Sequence, residues 1–159
     1  MRARRLALAA TAAALAVPAA VLATPDGTAT VKFGNDVGSP FPPPEHDASG
    51  NAKDNVVPRT VTLAAGGSVT YEMTPPTVSG PHQVAVYGPG TEPEDIALLG
   101  PGPWVNDPDG RIALGPTNFT TLTWTTPAGT FATPGRYLVL CNFLPHFAFG
   151  NMYGWVIVK

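Results

Sequence analysis

The chain has 159 residues, a length suited to one domain, and only 13% of them are charged, against 19 prolines and 17 glycines. Nine Lys/Arg against eleven Asp/Glu leave no basic excess, which excludes a nucleic-acid binder that must neutralise phosphates. A single cysteine excludes an internal disulfide.

The chain opens with Arg2, Arg4 and Arg5, followed by an uncharged, alanine-rich run over residues 6–23 that ends in Val21-Leu22-Ala23. A basic start, an apolar stretch and small residues at the cleavage position form the pattern of an export signal, assigned to residues 1–23. A retained membrane anchor fits less well, because the run is broken by Pro18 and only just reaches spanning length. The expected mature domain, residues 24–159, therefore works in the periplasm, outside the cell or at the cell envelope, with no stable membrane insertion. It carries six basic against eleven acidic side chains, a net charge of −5.

Residues 29–33 alternate, with Val31 and Phe33 on one side, and predict a first strand. Residues 38–58 are rich in proline and polar side chains and predict a surface excursion. It carries His46 between Glu45 and Asp47, with Asp54 nearby, so a second, oxygen-rich metal site competes there with a solvated loop. Residues 59–63 and 68–73 alternate again, separated by a predicted turn at Ala64-Ala-Gly-Gly67. A proline-rich loop over 74–81 delivers His82 to a strand over 83–87. There His82, Val84 and Val86 share parity, so the imidazole faces the same buried side as the valines.

Residues 88–118 read as long and irregular, with one short helical turn over 92–99 capped by Thr91. A strand over 119–125 follows. Pro134-Gly135 then turns the chain into residues 137–141, which are apolar on both faces and so predict a central strand. Residues 153–158 close the set. Short strands between Pro/Gly turns, with no helical periodicity, predict an all-β sandwich or small barrel with long loops.

The chemistry is concentrated near the end. Cys141, His146 and Met152 lie within twelve residues, and Tyr137, Val139 and Cys141 share one face, so the sulfur ends its strand facing inward. Each of these side chains alone is most simply a core or hydrogen-bonded residue. Together with His82, their order, spacing and parity specify a soft-metal site. Two histidines, a thiolate and a weak axial thioether make a blue-copper electron-transfer centre. Asn118-Phe-Thr120 is also an N-glycosylation sequon.

Pro134-Gly135-x-Tyr137-x-x-x-Cys141, Pro145-His146, Met152-x-Gly154-x-Val156 and Gly80-Pro81-His82-x-Val84 resemble the cupredoxins, the plastocyanin- and azurin-like blue copper proteins. The resemblance implies a Greek-key β-sandwich holding one type 1 copper ion near one end. By position it implies His82, Cys141 and His146 as equatorial ligands and Met152 as the axial one. It also implies a carrier, expected as a monomer, that shuttles single electrons between redox partner proteins. Five residues separate His146 from Met152, more than is usual in plastocyanin-like loops. The axial position therefore stays open between Met152, a backbone carbonyl and the Asn151 amide.

The apolar stretch Phe143, Leu144, Pro145, Phe147 and Phe149 around His146 offers a docking surface, unless those phenylalanines pack inward. The competing function is copper sequestration or delivery without a dedicated electron-transfer role. An enzyme is disfavoured, because one remaining histidine cannot build a second copper centre and no His-Cys-His arrangement is present.

Overall fold

The computed structural model describes residues 26–34, 55–98 and 100–159. The leader, His46 and most of the 38–58 excursion lie outside the described residues. Eight strands carry the fold: β1 (Asp26–Gly34), β2 (Asn55–Val57), β3 (Thr60–Met73), β4 (Gln83–Pro89), β5 (Arg111–Thr117), β6 (Thr123–Thr125), β7 (Gly135–Cys141) and β8 (Tyr153–Val158). Two short helices, α1 (Pro76–Ser79) and α2 (Leu144–Ala148), interrupt them. Among the described residues no helix is long and apolar enough to cross a membrane.

Strand pairing runs β2-β1-β3-β8-β7-β4-β5, with β6 also on β3. The sheet folds into two layers through β3. Its first residues pair in parallel with β8, Thr60 opposite Trp155 and Leu63 opposite Val158. Its last residues pair with β1 and β6 instead. The expected turn at Ala64-Ala-Gly-Gly67 is therefore a change of layer within one strand. Gly66 sits at φ +83°, and a Cβ on Gly67 would come within 2.6 Å of the Gly27 carbonyl oxygen. Only glycine tolerates both the left-handed backbone and that approach. The corner's N–H groups find partners outside the ladder: Ala65 donates to the Lys159 carbonyl and Gly66 to that of Phe131.

The inward faces meet in one core. Val31, Phe33, Val69 and Tyr71 from one layer pack with Val84, Val86, Val139 and Val156 from the other. The opposite face of β4 and β7 is also covered: Ala85, Tyr87, Leu138 and Leu140 pack under Ile96, Val105 and Phe147. Burial on both faces makes β7 central, as its unbroken apolar run predicts, and it lies between β4 and β8. The fold is the expected all-β sandwich.

Three expectations need correction. Residues 88–118 are not wholly irregular, because β5 pairs antiparallel with β4. Gly115-Pro116 hid it, and so did its inverted pattern, in which the apolar Ile112 and Leu114 face out, 47% and 43% exposed. Proline is tolerated there because β5 is an edge strand. Residues 119–122 lie outside β6, because the amides of Thr120 and Thr121 turn back to the Thr117 carbonyl. The predicted helical turn shrinks to a 3-10 turn at Pro93–Asp95. Asp95 accepts from the Glu92 amide there at 2.9 Å, so Glu92 rather than Thr91 begins the turn.

Candidate metal centre

Cys141 ends β7, fully buried, with Val84 of β4 as its pairing partner. His82 lies two residues before Val84, just ahead of β4, and is also completely buried. Pairing of β4 with β7 thus brings together two residues far apart in sequence. It is reinforced beside the site: the Asn142 amide donates to the Gln83 carbonyl at 2.7 Å, and the Asn142 side chain donates to Gln83 Oε1 at 2.8 Å. The chain then turns through α2, which returns a half-buried His146 to the same point.

The three donor atoms face one another. Cys141 Sγ lies 3.6 Å from His82 Nδ1 and 3.8 Å from His146 Nδ1, and the two nitrogens are 3.2 Å apart. A borderline ion bound trigonally, with metal–sulfur near 2.3 Å and metal–nitrogen near 2.0–2.1 Å, needs separations of about 3.8 Å and about 3.6 Å. The residues therefore fit an ion bound between them with small adjustment. Among the described residues these are the His, Cys and carboxylate side chains grouped closely enough to share one.

Electrostatics favours the binding form. Burial, with the His146 charge second, pushes His82 down to about 3, and burial pushes His146 down to about 4. Both imidazoles are neutral near pH 7, as a metal-binding nitrogen must be.

Met152 is brought in by the backbone. Its amide donates to the His146 carbonyl at 3.1 Å, and its carbonyl accepts from the Cys141 amide at 3.0 Å. Its side chain is completely buried in the same core cluster as Cys141. The longer loop is accommodated by Asn151 at φ +52° and by Gly150, where a Cβ would fall 2.6 Å from the His146 carbonyl oxygen. Asn151 itself is exposed and its carbonyl accepts from the Tyr153 amide, which disfavours it as the axial donor.

Asn118 is the site residue that sequence reasoning missed. Its Oδ1 accepts from the His82 amide at 2.8 Å, and its Nδ2 donates to the carbonyls of Thr74 at 2.8 Å and Gly80 at 3.0 Å. Its own amide donates to the His82 carbonyl at 2.9 Å. One side chain thus ties both ends of the 74–82 loop to His82. At 3% exposure, with its amide nitrogen engaged, Asn118 is closed to glycosylation in the folded protein. A polar side chain amid Gly115-Pro116-Thr117 carries no periodic signal that marks it as buried.

No family model matches the chain, and no curated protein matches it in sequence. Solved structures do resemble it, and they are cupredoxins. Auracyanin from Roseiflexus castenholzii is 20% identical at TM-score 0.47, over 85% of this chain and 98% of that one. Auracyanin A from Chloroflexus aurantiacus, described as a blue copper protein, is 22% identical at TM-score 0.48, over 84% and 100%. Plastocyanin from Dryopteris crassirhizoma is 21% identical at TM-score 0.39, over 82% and 99%. At such identities and scores the likeness describes a shape, and the reading of the site rests on its own donor atoms.

The apolar stretch around His146 divides. Phe147 is buried, only 6% exposed, and packs inward, whereas Phe149 is 79% exposed. Phe143 and Leu144 are half-buried and Pro145 is exposed.

Proposed function

We propose that the protein is an exported electron carrier holding one type 1 copper ion at His82, Cys141 and His146, with Met152 as the weak axial ligand. The observation that carries this reading is the facing of one sulfur and two imidazole nitrogens at 3.2–3.8 Å. A soft thiolate with two neutral imidazoles selects a thiophilic, imidazole-tolerant ion over hard cations. Copper bound there supplies a one-electron couple. The chain's part is to hold the donors still between oxidation states. Cys141 is fixed in a central strand, His82 is fixed by Asn118, and the His146–Met152 loop is closed on its own carbonyls. Complete burial of His82 and Cys141 favours retention of the ion over its delivery to another protein.

His146 is the partly exposed ligand, so it is the natural route for the electron. The stretches that carry the ligands, residues 73–91 and 137–158, contain no charged side chain, though the Arg59 guanidinium reaches the Asn151 carbonyl from outside them. This supports docking of a redox partner protein on an apolar face that includes Phe149. Export would be accompanied by removal of residues 1–23, which intact mass of the secreted protein would test.

The deciding experiment is addition of Cu(II) to the mature protein. An intense thiolate-to-copper charge-transfer band, absent in Cys141→Ser, is the expected result. No such band in the folded wild type refutes the reading.

A further inference from the structure

We infer that Trp104 is a positioning residue for His146, acting through Phe143 from a strap laid across the connection between Cys141 and His146. His82 is held by complete burial and by Asn118, but His146 is only half-buried and sits on a five-residue helix. That helix has no side-chain cap at its start, where the residue is Phe143.

Two backbone hydrogen bonds bracket Phe143. The Val105 amide donates to the Asn142 carbonyl and the Leu144 amide donates to the Pro103 carbonyl, both at 2.7 Å, making an antiparallel bridge between Trp104 and Phe143. The Leu144 N–H is one of the donors a helix start leaves without an intrahelical partner, so the strap supplies the missing cap. The rings continue the contact. Trp104 meets Phe143 edge-on at 5.5 Å, and Phe143 meets His146 edge-on at 4.6 Å.

The strap is itself anchored. Asp107, buried at its base, accepts from the Ala97 and Asp109 amides at 2.8 Å each, and its carbonyl accepts from the Tyr87 hydroxyl at 2.9 Å. Ile96 and Val105 are buried against the cluster that contains Phe147. With its base pinned to the sheet, the strap presses Trp104 onto Phe143. Phe143 in turn restricts the His146 ring, an effect local to one ligand.

The inference rests on the copper reading only for its spectroscopic arm. In the metal-free protein, Trp104→Ala should accelerate exchange of the Leu144 amide by about tenfold and shift the His146 ring protons in NMR spectra. Trp104→Phe, which keeps an aromatic edge on Phe143, should restore both. With copper bound, Trp104→Ala should alter the copper hyperfine splitting and the potential. Phe143→Leu should do the same, and the double variant should add little to either, because both act along one contact. Unchanged Leu144 exchange and His146 signals in Trp104→Ala overturn the inference, as do fully additive effects of the two substitutions. Failure to bind copper would refute the proposed function but leave the metal-free measurements to decide this one.

Discussion

Replacing Asn118 with alanine is the sharpest test of how the site is built. The substitution removes one acceptor from the His82 amide and two donors from the carbonyls of Thr74 and Gly80. Each hydrogen bond contributes about 1 kcal/mol net, so the expected loss is about 3 kcal/mol, a large share of the 5–15 kcal/mol typical of a domain. Asn118→Asp supplies the internal control. It is nearly isosteric and keeps an oxygen for the His82 amide, but it turns a carboxylate oxygen toward two carbonyls. Burial and those carbonyls disfavour the charged form, so Asp should cost at least as much as Ala at pH 7. Relative to wild type, its deficit should shrink as the pH falls and the carboxyl takes up a proton. Urea unfolding of the metal-free proteins reads both losses, and copper spectra of the folded variants read displacement of His82. A loss below about 0.5 kcal/mol for Ala, the range of ordinary surface substitutions, would refute the clamp.

Removing the thioether in Met152→Leu should preserve the charge-transfer band and raise the reduction potential, since a lost donor disfavours the more oxidised ion; voltammetry checks this, and an unchanged potential argues for another axial donor. Metal-free stability should be greatest above pH 6.5 and fall as the pH drops toward about 3. In that window the unfolded chain protonates both histidines, while the folded chain keeps His82 neutral to about pH 3 and His146 neutral to about pH 4. The slope is about 1.4 kcal/mol per pH unit for a fully shifted histidine, and less for the half-exposed His146. Flat stability across that range, followed by denaturant unfolding, would contradict the buried neutral imidazoles. Phe149→Glu should slow electron exchange with a partner protein while leaving the copper spectrum intact, because Phe149 is 79% exposed. Stopped-flow rates equal to wild type would remove Phe149 from the docking face. Phe147→Glu, by contrast, should destabilise the fold itself, as that side chain is buried.

The sequence by itself determined the chemistry of the site and the local facing of its parts. Cys141, His82, His146 and Met152 form a soft donor set by residue type alone. The two-residue period of strands was enough to turn Cys141 and His82 inward, and both are fully buried. The centrality of β7 was legible because an apolar run on both faces has no other home.

Tertiary structure alone decided what depends on partners distant along the chain. The pairing of Val84 with Cys141 makes two buried donors into neighbours. Strand β5 is not legible in the sequence because an edge strand that turns Ile112 and Leu114 to solvent inverts the usual inside-out alternation. Asn118 reads as an ordinary sequon until the carbonyls of Thr74 and Gly80 arrive beside it from more than thirty-five residues away. Whether a phenylalanine near His146 faces the core or the solvent was likewise settled by packing, since Phe147 and Phe149 are alike in type and differ only in the direction α2 gives them. Residue type and period are properties of neighbours along the chain. The groups that hold His82 and cover His146 meet only when the layers and loops close.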